Sequence, residues 1–245
     1  MIAASTGDRR SAWWTRVATG YASLALRRRI EGIYVQGSEL LRDAAAKGPI
    51  VLVANHGSWW DTFLLLVVNR HFGLRGYALM DEVNLRRLAF FARVGALPLS
   101  RSDGTRASAQ LHAAAMQLRG PQDALWMFAD GAQRPFHARP LLFKKGAARL
   151  ATEAQAIAIP CAISLAWRER PEPAILLSFG AGVQDQDADR ATKQLAQSVT
   201  ELLDDQTQAT LTDAMPGCIF VGTRDKRDDG LATRFLAALC RPWRE

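Results

Sequence analysis

The sequence is poor in cysteine, histidine and long apolar runs, and each shortage removes a class of protein. Three cysteines (Cys161, Cys218, Cys240) are too few and too odd in number for a disulfide scaffold, so they are expected as reduced thiols. No Cys-x-x-Cys and no close Cys/His spacing occurs among three Cys and four His, so no metal site is expected. The longest nearly apolar stretch, Trp59 to about Val68, is interrupted by Asp61. It falls well short of the roughly 20 residues that a membrane-spanning helix needs. No long apolar core follows Met1–Arg10, so no secretory signal is expected either.

What remains is an ordinary globular composition: 245 residues, 49% apolar and 22% charged, with a mean hydropathy of −0.07. That is one domain of generous size, neither disordered nor fibrous. The net charge of +7 is unevenly placed. Residues 1–30 hold six Arg against one Asp, residues 224–245 hold six cations against four anions, and the 193 residues between sum to zero. A chain whose middle offers no basic groove is not expected to bind nucleic acid.

Placed on a helix, residues 9–29 gather Trp13, Val17, Tyr21 and Leu24 on one face, with Arg9, Arg16 and Arg27 along one border and Thr15, Thr19 and Ser23 opposite. Aromatic rings beside guanidinium groups suit a helix lying on anionic lipid. The same face would equally suit packing on the domain core. Beyond residue 31, apolar runs at 50–54, 76–80, 96–100, 124–128, 157–165 and 174–179 alternate with helical stretches at 59–69, 84–93, 103–119, 145–155 and 188–206. Such alternation predicts an α/β fold: a central, largely parallel mixed sheet flanked by helices, preceded by an N-terminal amphipathic helical segment. The expected organisation is a membrane-surface helix at 1–35, an α/β domain at 36–206, and a C-terminal extension of it at 207–245, with a helix near Leu231–Cys240.

In open α/β sheets, functional groups collect at the carboxyl ends of strands. The first apolar run delivers Asn55-His56-Gly57-Ser58-Trp59-Trp60-Asp61 to that edge. His56 and Asp61 would lie about 140° apart on one helix. They meet only if His56 stands in the turn and Asp61 in the first helical turn. A carboxylate-held imidazole is a general base for a hydroxyl proton. Ser58-x-x-Asp61 is also capping-box spacing, in which Asp61 does no more than satisfy a helix terminus.

Asn-His-x4-Asp after a buried strand resembles the first signature of the glycerolipid acyltransferases, typified by 1-acylglycerol-3-phosphate (lysophosphatidate) acyltransferase. Four further blocks follow in order: Gly95-Ala-Leu-Pro-Leu-Ser-Arg101, Phe128-Ala-Asp-Gly-Ala-Gln-Arg134, Phe143-Lys-Lys-Gly-Ala147 and Ile159-Pro-Cys-Ala-Ile163. The likeness spans about residues 48–185. It implies acyl transfer from acyl-CoA or acyl-carrier protein to a lipid hydroxyl, with no covalent intermediate and no cofactor. His56 and Asp61 would be catalytic. Asn55, Ser58, Arg101, Asp130, Gly131, Arg134, Lys144 and Lys145 would bind substrate, although two lysines at a helix start are equally a solvated cap.

The resemblance also implies phospholipid biosynthesis, while the basic aromatic N-terminal segment and the lack of a spanning stretch or secretory signal lead to the expectation of a peripheral place on the inner, cytoplasmic face of the membrane, against anionic lipids. The third block departs from the family's Phe-Pro-Glu-Gly-Thr-Arg-Ser: Ala129 replaces proline, Asp130 replaces glutamate and Gln133 stands where arginine is usual. Asp81 lies near a position that is often lysine. The acceptor is therefore expected to be an amphiphilic alcohol that need not be lysophosphatidate: another lysolipid, a glycolipid or an aminolipid. The competing readings are a thioesterase that uses the same pair on water, and a non-catalytic lipid-binding protein.

Overall fold

The structure, a computed structural model, describes residues 9–168 and 170–221. The chain forms, in order, helix α1 (Ala12–Arg29), strand β1 (Gly32–Gln36), α2 (Ser38–Lys47), β2 (Ile50–Ala54), α3 (Asp61–His71), β3 (Arg75–Asp81), α4 (Glu82–Arg87) and a 3-10 helix (Ala89–Val94). There follow β4 (Ala96–Leu99), α5 (Gly104–Ala115), β5 (Asp123–Phe128), α6 (Gly146–Glu153), β6 (Ile157–Ala166), β7 (Ala174–Phe179), α7 (Ala188–Leu211) and β8 (Cys218–Val221). The sheet order is β4-β3-β5-β2-β6-β7-β1-β8. Neighbours run parallel except at β6/β7 and β1/β8. The expected α/β fold is what forms.

Strand β2 is buried along its whole length because it is central and covered on both faces. Its period of two sends Ile50, Leu52 and Ala54 into the core under α1, α2 and α3. Val51 and Val53 enter the core under α5, α6 and α7. The parallel neighbour β5 ends level with β2, since Ala54 pairs with Phe128, while β6 pairs with Ala54 at Cys161 and runs on to Ala166. The ends of β2 and β5 therefore open together on one edge.

Three features differ from the sequence reading. Residues 32–35, assigned above to the N-terminal segment, belong with Gln36 to β1, which pairs with β7 and β8. The helix expected at 84–93 is two pieces, because Leu88 leaves the helical region at φ −121° and ψ 54°. α7 continues past residue 206 to Leu211. The helix expected near Leu231–Cys240 lies outside the described residues.

α1 packs on α3 through its small-residue side, with Ala18, Thr19, Ala22 and Leu26 buried. Its Trp13, Val17, Tyr21 and Leu24 stay between 46% and 64% exposed. The aromatic face is thus not the face that packs on the core. Among the described residues, no helix is long and apolar enough to cross a membrane.

Candidate active site

The site is built on the turn between β2 and α3. Asn55 anchors it: the amide donates to the Ile163 carbonyl (2.8 Å) and accepts the Ile163 N–H (2.9 Å), which ties the end of β2 to β6. Both ends of this buried amide bond main chain, so Asn55 fixes the turn. The next residue, His56, places Nδ1 2.7 Å from Asp61 Oδ2. The same Oδ2 accepts the N–H groups of Gly57 and Ser58, each at 3.1 Å. Asp61 therefore closes the helix terminus and holds the imidazole at once, and the two readings of Ser58-x-x-Asp61 coexist. Ser58 is local too, its hydroxyl accepting the Trp60 N–H at 3.1 Å.

The Asp61 side chain is 2% exposed and that of His56 is 24% exposed. The carboxylate is dry while the ring reaches the cleft. Nδ1 is fixed by Asp61, which leaves Nε2 for a ligand and sets its tautomer as acceptor. Phe128, the last residue of β5, stacks on the ring with centroids 4.2 Å apart and planes 23° from parallel. Sequence reading took Phe128 only as a motif landmark. It touches His56 because β5 and β2 end level.

The segment after β5 folds back over this turn. The Ala129 N–H donates to the Ala54 carbonyl, and the Arg134 N–H donates to the His56 carbonyl at 2.8 Å. Gly131 has φ +67°, and a Cβ there would come within 3.1 Å of Lys144 Nζ, so glycine lets the Lys144 side chain cross it. Asp130 is buried and accepts the Leu142 N–H at 3.0 Å. Arg134 donates to the Pro140 carbonyl at 3.2 Å and lies 3.9 Å from Asp130. Asp130 and Arg134 thus brace the segment. Lys145 pairs with Asp189 on α7 at 2.6 Å. Of the eight residues expected to bind substrate, Arg101, Gly131 and Lys144 share the cleft with His56. Asn55, Ser58, Asp130, Arg134 and Lys145 do not line it.

That cleft has a volume of about 750 Å³. Phe63 and Leu66 of α3, Leu79 and Met80 of β3, and Leu88 and Phe91 around the 3-10 helix give it apolar walls. It extends along α3 to Asn69, whose Oδ1 accepts the Trp126 indole N–H at 2.9 Å. Gly76 makes room there, since a Cβ would sit 1.9 Å from the Asn69 amide nitrogen. Asp81 and Asp103 also line the mouth. In sequence Asp103 reads only as a helix cap, and Asp81 only as a departure from a position that is often lysine. Burial, and next the neighbouring Asp61 carboxylate, push the Cys161 thiol well up, so it stays protonated and is no nucleophile. Among the described residues, no three His, Cys, Asp or Glu side chains group as a metal site requires.

The family model for Acyltransferase matches residues 32–164, more than half of the chain. No curated protein sequence matches. Among solved structures, the 1-acyl-sn-glycerophosphate (LPA) acyltransferase PlsC from Thermotoga maritima is similar with a TM-score of 0.56 and 16% identity, over 78% of this chain and 79% of that one. The pilus retraction motor PilT with bound ADP reaches a TM-score of only 0.37 at 12% identity, over 82% and 65%, and informs nothing here. The matched segment contains the His56–Asp61 turn, β5, the segment that folds over it and the start of α6. The chain belongs to the Acyltransferase family and is an acyltransferase.

Proposed function

We propose that the protein transfers a fatty acyl group from an acyl thioester, acyl-CoA or acyl-carrier protein, to the hydroxyl of a lysophospholipid or a related amphiphilic alcohol. The observation that carries this reading is the 2.7 Å contact between a ring nitrogen of His56 and a buried carboxylate at the head of a long, apolar-walled cleft. The general base belongs where an acyl chain and a hydroxyl meet.

In the reaction, His56 Nε2 takes the acceptor's hydroxyl proton as the oxygen attacks the thioester carbonyl carbon. Asp61 stabilises the imidazolium so formed. The new C–O bond forms, the C–S bond breaks, and the leaving thiolate takes the proton back from Nε2 as free thiol. No enzyme nucleophile takes part, in keeping with the protonated, fully buried Cys161. Phe128 keeps the ring from rotating away. The aromatic face of α1 supports a peripheral membrane location, because Trp13 and Tyr21 remain open to solvent although α1 is packed. Trp59 is 66% exposed and lines the cleft, so the mouth opens beside apolar surface.

The test is thiol release from a long-chain acyl thioester by wild type and His56→Ala, with and without lipid alcohols. Release that needs an acceptor and disappears in the variant supports transfer. Release without acceptor would instead identify a thioesterase.

A further inference from the structure

The ionisable side chains at the cleft are few. Besides His56 they are two cations, Arg101 and Lys144, and two carboxylates, Asp81 and Asp103. Their formal charges sum to zero. Asp81 uses Oδ1 to accept the N–H groups of Val83 (2.8 Å) and Asn84 (3.3 Å) at the start of α4. Its Oδ2 stands 3.9 Å from Arg101 Nε. The guanidinium best placed for an anion therefore already has a carboxylate beside it.

Arg106, Arg134 and Lys145 are also committed. Arg106 pairs with Glu82 at 3.0 Å, and the Gln110 amide that donates to Glu82 also accepts the Ser100 N–H. Arg134 is held by Pro140 and Asp130, and Lys145 by Asp189. A phosphate monoester carries close to two negative charges at neutral pH. Here it would meet two carboxylates for every two cations. A headgroup with one anionic and one ammonium group meets a partner for each: Arg101 and Lys144 for the oxyanion, Asp81 and Asp103 for the ammonium.

We infer that the acceptor is a zwitterionic amphiphilic alcohol, recognised by the balanced opposite charges of Asp81, Asp103, Arg101 and Lys144 lining the cleft. This rests on the transfer reading above and names its acceptor class. Asp81 and Asp103 are the specificity-determining residues, because they penalise a dianion and favour an ammonium.

The experiment compares kcat/KM for four acceptors with one acyl-CoA: lysophosphatidate, lysophosphatidylethanolamine, an N-(3-hydroxyacyl)lysine with a free amine, and monoacylglycerol. The second and third carry the same charges on different anions, phosphodiester and carboxylate, so they separate the two sources of a zwitterion. Each is run with wild type, Asp81→Asn and Asp103→Asn, since asparagine keeps the N-cap and removes the charge. One zwitterion is the best acceptor of wild type. In Asp81→Asn its kcat/KM relative to lysophosphatidate falls about tenfold, through lost attraction and relieved repulsion together, and Asp103→Asn moves the ratio the same way. Lysophosphatidate or monoacylglycerol as best acceptor, or a ratio unmoved in both variants, overturns the zwitterion and leaves lipid acyl transfer standing. No transfer to any of the four overturns both.

Discussion

One oxygen of Asp61 joins the helix terminus to the imidazole: Oδ2 lies 2.7 Å from His56 Nδ1 and 3.1 Å from the amide nitrogens of both Gly57 and Ser58. Three donors on one buried carboxylate oxygen hold the turn in a single conformation. Pre-organisation of this kind removes reorientation from the proton-transfer step. Asp61→Asn and Asp61→Ala should separate the two duties. Asparagine keeps an oxygen for the amides and loses the charge that stabilises an imidazolium, so kcat falls about 10²–10⁴-fold while the melting temperature moves little. Alanine loses the activity and also leaves buried amides unpaired, costing about 1–3 kcal/mol. Steady-state rates and thermal denaturation of the two variants check this. Equal stability losses would contradict the double role.

Phe128→Ala removes the ring stacked on His56. The imidazole gains freedom without losing Asp61, so kcat should fall by about tenfold, roughly the 1.4 kcal/mol within reach of an aromatic contact. KM for the thioester changes less. Phe128→Leu recovers part of the rate if the ring's role is to confine His56.

Gly131→Ala places a side chain at φ +67° with its Cβ 3.1 Å from Lys144 Nζ. The backbone strain costs about 1–2 kcal/mol of stability, and the crowded Lys144 side chain must shift away from the new methyl group. Denaturant titration reads the first effect. A rise in acceptor KM reads the second.

Acid stability depends on Asp123. Burial pushes its carboxyl up, but the bidentate Arg75 guanidinium at 2.6 and 2.7 Å and the Arg119 N–H outweigh it and hold the group below 3.8. A depressed carboxyl stabilises the fold at pH values above about 4, the unfolded value, and that contribution is lost as pH falls through the folded value. Asp123→Asn should therefore lower stability at pH 6–7 and narrow the gap to wild type below pH 4. A gap that stays constant from pH 7 to pH 3 would refute this assignment.

Membrane contact is read at α1. Trp13→Ala with Tyr21→Ala should weaken sedimentation with anionic phosphatidylglycerol vesicles by about tenfold or more, as loss of two interfacial aromatic rings implies. The melting temperature should hold, because both rings are largely exposed. Unchanged vesicle binding would remove α1 from the membrane account.

Much of this was legible in the sequence, and the boundary of legibility is physical. His56 and Asp61 were found because a strand end, a turn and a helix start are all local signals. Their distance follows once the turn is granted. Lys144 and Lys145 look alike in sequence, yet one lies across Gly131 into the cleft and the other reaches Asp189 on α7. Side-chain direction at a helix start depends on one residue of register. Asn55 and Arg134 read as ligands because polar residues in a site motif invite it. The Asn55 partner, Ile163, is set by tertiary pairing that no local pattern encodes, and the Arg134 partner, Pro140, by the fold of the loop six residues on. Strand β1 escaped notice because its partner β7 is more than a hundred residues away. The aromatic stripe of α1 was visible, but which face the helix would bury was not. The buried residues are Ala18, Thr19, Ala22 and Leu26, mostly small, on the side where α1 packs on α3.

The most direct measurement is the transfer reaction itself, followed by thiol release and by chromatography of the acylated product, for wild type and His56→Ala with acyl-CoA and the four acceptors above. The account predicts thiol release matched one for one by acylated lipid, dependent on acceptor, and reduced about 10²–10⁴-fold in the variant. Acylated lipid formed at an undiminished rate by His56→Ala would contradict it.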